Sequence, residues 1–533
     1  MLKKSLFLLP VILILTVFPL FSQEAVPDPE SSLSDTGPDQ PSISGDDQLY
    51  VIADFEFDIK GRTRPDALIY VGEFKQGEKL HGRANLEKYV SDKTQTLINQ
   101  RVLKDNAAVS YSIGEPSEDG VYPVTITIKV EDSWNIIALP YPKYSSHTGL
   151  GLTLKARDYN FLGTMNPLRI DLGYSNDEYN HSSFTLGVFS STPFRALGYT
   201  WKFRFDNTFT YRPDVDEPYY YQNVIGLSVE VPFYATTFTF GFEETSNLNE
   251  ENSSRYKDEY GEFQKGLYMS SELFTSWKIP TGLQVYKFGE LTYTPRVSGT
   301  LNHELPKWPL QEIRRGPYMD FSHSLGFEKI DWHANYRQGL SVFASNSYNY
   351  NFYRLRNDQE PLSISYGFEG IGHLIVSKFF AISSRLMFRR WFYHDPDYNE
   401  SAGDALRGIR DDAISADYML SLNMDFPVRV LVFAPPGRSD RRRSGILDFE
   451  MQLAPVIDLA LFHFPDPVME ISFEPKNIVA TGGLEMIIFP AFMRNLYVRL
   501  GYVGNLRSVF SERPIRFPTG ENREIYVIMG HFY

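Results

Sequence analysis

Cysteine is absent from the 533-residue sequence, and this absence excludes disulfide bonds, thiolate metal sites and cysteine nucleophiles. Basic residues are in the minority: 52 Lys and Arg face 66 Asp and Glu. The resulting formal net charge of -14 argues against nucleic acid as the main partner. The mean hydropathy of -0.29 excludes a membrane protein built from many apolar helices. Aromatic residues are abundant instead, because 34 Tyr and 40 Phe raise their share to 15%.

The first segment has the layout of an export signal. Lys3 and Lys4 form a basic region before an apolar run over residues 6–21, which is shorter than the roughly 20 residues that a membrane span needs. We therefore predict a signal peptide over residues 1–23 in preference to a single membrane anchor. Residues 24–48 are rich in Pro, Ser, Asp and Gly and poor in apolar residues, which predicts a flexible linker.

Residues 49–132 predict a small α/β domain. Apolar and acidic residues alternate from 51 to 59, which is the period of a half-buried strand, and apolar residues recur at near-helical spacing from 84 to 102. Two more alternating runs, 107–113 and 121–130, predict two further strands. We expect a three-stranded sheet with an exposed edge that can accept a strand from another protein.

Residues 133–533 repeat a different pattern. Runs of about ten to fifteen residues, apolar on one face and polar on the other, end in Gly, Pro, Asn or Asp. In one run, Phe203 and Phe205 alternate with Arg204 and Asp206. Apolar bands rich in aromatic residues, opposite a polar lumen, are typical of a β-barrel in a membrane. Only helices and closed barrels satisfy all of their backbone hydrogen bonds there.

The predicted fold class is therefore mainly β: a transmembrane antiparallel β-barrel of about sixteen strands, preceded by one small α/β domain. The alternating runs are counted from Pro167 onward. A further hairpin across residues 136–160 would raise the number to about eighteen, and the sequence leaves both numbers open.

The final segment predicts the last strand of this barrel, from residue 523 to residue 533. A terminal aromatic residue on the last strand marks outer-membrane barrels for assembly. We expect the closing residues to form part of the seam where the barrel closes. These residues are Met529, Gly530, Phe532 and Tyr533, with His531 where an apolar residue is usual.

Together these features resemble the BamA/TamA-type family of outer-membrane β-barrel assembly and translocation proteins, which join periplasmic POTRA domains to a barrel. The resemblance covers residues 49–533, with residues 49–132 similar to one POTRA domain. Four motifs carry it: RDYNFLG at 157–163, like the family's D-x-N-x-x-G turn; LRGI at 406–409, like the V-R-G-F tip of its long sixth extracellular loop; VIDLA at 456–460, like its F-x-D-x-G strand; and the closing MGHFY at 529–533.

The resemblance implies a pair of site residues. In the family, an arginine at the loop tip meets an acidic group inside the barrel. This implies that Arg407, next to Gly408 in a long extracellular loop over residues 395–415, contacts Asp458. Asp458 also shares one face of its strand with the polar Glu450, so its carboxylate is expected to face the lumen. The two residues would form a charge-assisted hydrogen bond, which can be bidentate.

The sequence departs from the family pattern at several positions. Ile409 replaces an aromatic residue at the loop tip, so that stacking is lost there. Asn423 stands where a lumen glutamate is usual, with Asp425 two residues later, and Ala460 replaces a glycine. A single POTRA-like domain is present, which leaves the accessory partners and the subfamily open.

A basic cluster lies in a predicted periplasmic turn and has two interpretations. It is either a solvated turn or a binding site for an acidic partner or anionic lipid head groups. Its residues are Arg438, Arg441, Arg442 and Arg443.

The function that the resemblance implies is not enzymatic. It implies an outer-membrane protein with its N-terminal domain in the periplasm, which inserts or translocates client barrel proteins by pairing their strands with the edges of a lateral seam. The expected partners are unfolded outer-membrane proteins, outer-membrane lipid and periplasmic accessory proteins or chaperones, and we expect no metal or cofactor. Two alternatives stay open: a two-partner-type secretion pore for a dedicated substrate, and a passive porin.

Overall fold

The computed structural model describes the chain from Gln48 to Met529, with gaps. The described residues are 48–145, 149–176, 182–214, 218–249, 266–285, 289–310, 315–392, 400–401, 405–409, 415–433, 448–463, 478–491, 496–506 and 523–529. The predicted signal peptide and nearly all of the predicted linker lie outside them. Within these ranges, the longest helices are too short or too polar to cross a membrane.

The α/β domain contains four strands and two helices. They are β1 (Leu49–Lys60), α1 (Pro65–Val71), β2 (Lys79–His81), α2 (Arg83–Asn99), β3 (Ala108–Ile113) and β4 (Val121–Glu131). The strand order is β2-β1-β4-β3, with β1 parallel to β4 and the other pairs antiparallel. The sequence analysis predicted three of these strands. It missed β2 because a strand of three residues is too short to show alternation.

The two helices cover one face of this sheet. Leu68 of α1 and Leu86 and Leu97 of α2 are fully buried, and they pack in one cluster with Ile126 and Ile128 of β4. Burying a side chain of this size contributes about 1.5–3 kcal/mol relative to leaving it exposed. The domain therefore has an apolar core of its own.

The remaining strands form the barrel, together with one small ribbon. The barrel strands are β5 (Ile136–Ser145), β6 (Gly149–Asp158), β7 (Leu168–Asn176), β8 (Ser182–Ala196), β9 (Tyr199–Tyr211), β10 (Tyr219–Phe233), β11 (Thr236–Leu248), β12 (Leu267–Gln284), β13 (Glu290–Glu304), β14 (Tyr318–His333), β15 (Tyr336–Asn351), β16 (Leu362–Ser377), β17 (Phe380–Phe392), β20 (Tyr418–Asp425), β21 (Val428–Phe433), β22 (Phe449–His463), β23 (Val479–Pro490), β24 (Val498–Asn505) and β25 (Arg523–Met529). The ribbon pairs β18 (Glu400–Ser401) with β19 (Ser415–Ala416), and two short helices are a 3₁₀ turn (Phe161–Gly163) and α3 (Phe352–Arg356).

The barrel closes on itself as an antiparallel sheet of nineteen strand segments. Two of these segments, β20 and β21, both pair with β17 and with β22, so they are parts of one strand that is interrupted at Phe426 and Pro427. Proline has no backbone N–H to donate to a neighbouring strand, which explains a break at this point. Counted in this way, the barrel has eighteen strands, because β5 and β6 form the hairpin that the sequence left open. The predicted fold class is confirmed.

The extra hairpin also changes the loop numbering. We call the barrel end that adjoins the α/β domain the domain end, and the opposite end the far end. The loop between β17 and β20, which contains Arg407, is the seventh connection at the far end and not the sixth as in the family pattern.

Strand alternation gives the barrel wall an outward apolar surface and a buried inward surface. In β22, every second residue from Glu450 to Phe462 is buried, whereas the residues between them are more exposed. Large apolar side chains such as Leu186, Phe240 and Leu273 remain exposed on the wall. An exposed apolar surface of this extent is expected of a barrel that lies in lipid.

The seam between β5 and β25 is described over a short overlap, because residues 146–148 and 530–533 lie outside the described residues. Among the described residues, one register pair, Tyr526 with Ser145, joins these two strands. All other neighbouring strands of the barrel share seven or more pairs, and β25 pairs with β24 over seven residues. Within the described part of the chain, β25 is therefore paired mainly with β24.

Candidate functional site

The tip of the long loop lies inside the barrel. Arg407 is 2% exposed, and Gly408 follows it in a left-handed conformation. Leu406 and Ile409 are buried in an apolar cluster with Ala405 of the loop, Ala416 of the ribbon and five residues of the barrel wall: Met387, Met419, Ala460, Phe462 and Val479. The loop tip is thus fixed by apolar packing as well as by charge, with Ile409 supplying contact area where the family has an aromatic ring.

Arg407 and Asp458 form a bidentate ion pair. The Nε atom of Arg407 donates to Oδ2 of Asp458 at 2.9 Å, and its Nη2 atom donates to Oδ1 at 2.5 Å. The backbone N–H of Arg407 donates to Oδ2 at 2.9 Å. Asp458 is 1% exposed, so this pair lies away from water. The structure therefore brings together the two residues that the sequence analysis paired.

Two further carboxylates surround the same guanidinium group. The Nη1 atom of Arg407 donates to Oδ1 of Asp425, on β20, at 2.6 Å and to Oε1 of Glu485, on β23, at 3.2 Å. Asn423 supports the loop in another way, because its Nδ2 atom donates to the backbone oxygen of Ala405 at 2.8 Å. Asn423, which stands where the family has a lumen glutamate, thus binds the loop backbone, whereas Asp425 supplies the negative charge.

Arg499 and Tyr526 extend this arrangement to the last two strands. Arg499, on β24, donates to Oε2 of Glu485 and, at 3.2 Å, to Oδ2 of Asp425. The hydroxyl group of Tyr526, on β25, donates to Oε1 of Glu485. We call these six residues, Arg407, Asp425, Asp458, Glu485, Arg499 and Tyr526, the charge cluster. It connects the loop to five consecutive strands of the barrel wall, with β20 and β21 counted as one strand.

The charge cluster places three carboxylates beside two arginines. All six residues are buried, with exposures from 0% for Glu485 to 6% for Asp425. Removing one partner from a buried ion pair typically costs about 3–5 kcal/mol, because the other partner is left without compensation. The arrangement therefore holds the loop inside the barrel through electrostatics that water does not screen.

Gly408 is required by the backbone at the loop tip. Its φ of +77° lies in the left-handed region, and a Cβ atom there would meet the Val503 backbone and side chain at 3.1 Å. Its N–H donates to Oε2 of Glu524, on β25, at 3.0 Å. A glycine lets the loop pass close to the wall and bond to the last strand.

The connection between β6 and β7 fastens the α/β domain to the barrel. Asn160 is fully buried, and its Nδ2 atom donates to Oγ1 of Thr63 at 2.8 Å and to Oδ2 of Asp132 at 3.1 Å. Asp132 also accepts from the backbone N–H of Arg62 at 2.7 Å, and from the backbone N–H and hydroxyl group of Thr63 at 3.3 and 2.5 Å. This junction uses the asparagine of the motif at 157–163.

The aspartate and glycine of the same motif also contact the domain. Asp158 accepts two hydrogen bonds from Arg62, at 2.9 and 3.1 Å, and this hydrogen bonding is the largest effect raising the pKa of Arg62. Gly163 has a φ of +76°, and a Cβ atom there would lie 2.1 Å from the backbone oxygen of Arg62. The N–H of Arg64 donates to the backbone oxygen of Gly163 at 2.9 Å. The whole motif therefore positions the domain at the barrel mouth.

The other predicted seam and turn residues are only partly described. Met529 ends β25. The seam residues Gly530, Phe532 and Tyr533 and the basic cluster Arg438, Arg441, Arg442 and Arg443 lie outside the described residues.

Three residues of the charge cluster were missed by the sequence analysis: Glu485, Arg499 and Tyr526. Each lies at a buried strand position whose two neighbours in the sequence are apolar. A polar or charged side chain between apolar neighbours was the available signal. It could not be assigned, because strand parity alone does not show which inward side chains from different strands meet.

Comparisons with known proteins give matches at the level of structure. No protein-family model and no curated protein matches the sequence. Among solved structures, CdiB from Acinetobacter baumannii is similar at 10% identity and a TM-score of 0.46, over 90% of this chain and 74% of that one. BamA from Haemophilus ducreyi lacking POTRA domains 1–3 is similar at 12% identity and a TM-score of 0.38, over 90% and 84% of the two chains. CdiB from Escherichia coli is similar at 10% identity and a TM-score of 0.37, over 94% and 92%. BamA, a protein that the sequence resemblance named, is thus among the solved structures that this chain resembles.

Proposed function

We propose that this protein is an outer-membrane factor of the BamA/TamA type that inserts or translocates client β-barrel proteins. In this proposal the α/β domain is a POTRA domain on the periplasmic side, and the partners are unfolded outer-membrane proteins, lipid and periplasmic accessory proteins. The action is strand pairing and not chemical catalysis. Clients would pair with the strand edges that open between β5 and β25.

The observation that carries this proposal is the small number of register pairs across the described part of the seam. One register pair joins β5 to β25 among the described residues, whereas β24 and β25 share seven. Over the residues that the structure describes, separating β5 from β25 therefore breaks few backbone hydrogen bonds, and it exposes two strand edges. Unpaired strand edges are templates for pairing with another chain. A barrel that served as a passive pore would gain nothing from a seam of this kind.

Locking the seam tests the mechanism directly. Because the chain has no cysteine, an introduced pair is the only one present. Tyr144 and Val527 follow in antiparallel register from the Tyr526–Ser145 pair, so Tyr144→Cys with Val527→Cys should allow a disulfide across the seam. The oxidised variant should lose insertion of a client barrel into liposomes that contain the purified protein, and reduction should restore it.

The matched control shares one of the two substitutions. Leu500 of β24 is the register partner of Val527, so Leu500→Cys with Val527→Cys places a disulfide across a fully paired junction. Oxidation of this control should leave insertion unchanged. Insertion that continues at the normal rate with a closed seam disulfide would overturn the opening mechanism.

Depletion separates this proposal from its alternatives. Quantitative proteomics of the outer-membrane fraction after depletion should show a broad fall in β-barrel proteins, and Arg407→Ala at normal expression should reproduce it. Loss of a single exported substrate with an intact outer-membrane proteome would indicate a two-partner-type secretion pore. A steady ion conductance that does not depend on Arg407, again with an intact proteome, would indicate a porin.

A further inference from the structure

Two side chains of β25 connect it to the inward loop, Glu524 directly and Tyr526 through Glu485 of β23. Glu524 accepts a hydrogen bond from the backbone N–H of Gly408 at 3.0 Å, and the Tyr526 hydroxyl group donates to Glu485. These contacts matter for β25 more than for other strands, because one register pair joins the described residues of β25 to β5. Its inner face is held by the loop and by the charge cluster.

One oxygen atom of Glu485 links Arg407 of the loop to Tyr526 of the seam strand. Oε1 of Glu485 accepts from Nη1 of Arg407, at 3.2 Å, and also from the hydroxyl group of Tyr526. Its second oxygen accepts from Arg499. A shift of Arg407 therefore removes one of the two donors to Oε1 of Glu485, which is the atom that accepts the hydrogen bond from Tyr526. Tyr526 is 5% exposed, so water cannot readily replace the lost contact.

The Tyr526 ring occupies space that is free because its register partner, Gly501, has no side chain. Gly501 is the register partner of Tyr526 on β24, and a Cβ atom at Gly501 would lie 2.3 Å from the Cζ atom of the ring. The ring packs with Val456 and Val503 on the inner surface. The hydroxyl group is thus directed to Glu485 by packing as well as by hydrogen bonding.

We propose that Tyr526 is a positioning residue that couples the inward loop to the seam, so that β25 stays closed while Arg407 is seated and is released when Arg407 leaves. This proposal deepens the proposed function and rests on it for its meaning in client insertion. The coupling itself is a property of the barrel alone. It is reciprocal, because a contact that stabilises the loop in the closed state also stabilises the seam when the loop is seated.

Hydrogen–deuterium exchange on the purified protein in lipid nanodiscs tests the coupling without any client. In Tyr526→Phe, the amides of residues 523–529 should exchange roughly tenfold to a hundredfold faster, which is the range for losing a hydrogen bond to a charged group. Residues 405–409 should exchange faster too, whereas β10 to β15 should not change. The control is Tyr502→Phe, which removes the same hydroxyl group from an exposed position on β24 and should change neither region.

A second variant disturbs the contact between Tyr526 and Glu485 through a residue of the neighbouring strand β24. Gly501→Ala keeps Tyr526 but displaces its ring, so it should produce the same pattern at 405–409 and 523–529. Unchanged exchange at 405–409 in both variants would overturn the coupling, as would equal acceleration in Tyr502→Phe. Because no client is present, this result is independent of the outcome of the seam-locking experiment.

Discussion

The charge cluster and the domain junction are both organised by an aspartate that accepts several hydrogen bonds, but they differ in their exposure to water. Asp458 is 1% exposed and faces a guanidinium group that is 2% exposed. At the junction, Asp132 is half-buried, and the Arg62 side chain that bonds to Asp158 is 49% exposed. Since solvent screens the second set and not the first, similar hydrogen-bond geometry should give very different stabilities. Burial, more than the number of contacts, decides which site holds the molecule together.

The largest effect is expected at Asp458. Asp458→Ala removes the bidentate partner of Arg407 and leaves the guanidinium group in a buried position with part of its compensation lost. The free energy of unfolding should fall by about 3–5 kcal/mol. Urea unfolding of the barrel in lipid vesicles, followed by tryptophan fluorescence, measures this change. Glu360→Ala, at an exposed loop position, is the control, and a loss at Asp458 no larger than at Glu360 would contradict the role of burial.

An intermediate effect is expected at Asp132. Asp132→Ala removes the acceptor of four hydrogen bonds and leaves the buried Asn160 and Thr63 with fewer partners. We expect a loss of about 1–3 kcal/mol, seen as faster hydrogen exchange at residues 60–64 and 158–166. Asp132→Asn retains one acceptor oxygen and should lose less. If both variants exchange like the unaltered protein, the junction is held by packing and not by this aspartate.

The smallest effect is expected at Arg62. Its ion pair with Asp158 is bidentate but largely exposed, so Arg62→Ala should cost less than about 1 kcal/mol. The cost should shrink further in high salt, because exposed charges are screened. Unfolding measured at low and at high ionic strength checks both points. A loss as large as that of Asp458→Ala would remove the distinction between the two regions.

Much of the fold follows from short-range sequence patterns. Alternation predicted β22 and its inward face, and Asp458 does lie on the same buried face as Glu450. The strand count was less certain, because β5 contains Pro140 and Pro142 and its alternation is weak. The break between β20 and β21 was not predicted either. It became visible from the shared neighbours of the two segments.

The site residues that lie within a sequence motif were predictable, whereas those that meet only through the pairing of several strands were not. Arg407 and Asp458 came from motifs of the resemblance, and both lie in one ion pair. Glu485, Arg499 and Tyr526 lie on three different strands, and their meeting depends on register and barrel closure. Such contacts are set by tertiary geometry, which alternation along one strand cannot show.

The antiparallel arrangement of β5 and β25 restricts how the barrel can be enlarged at the seam. A single strand placed between them would run antiparallel to one and parallel to the other, and parallel pairing has slanted and slightly weaker hydrogen bonds. A hairpin of two strands would be antiparallel to both neighbours. The direction of the strands therefore favours growth by two strands at a time, and a single guest strand is expected to bind one edge and leave the other free.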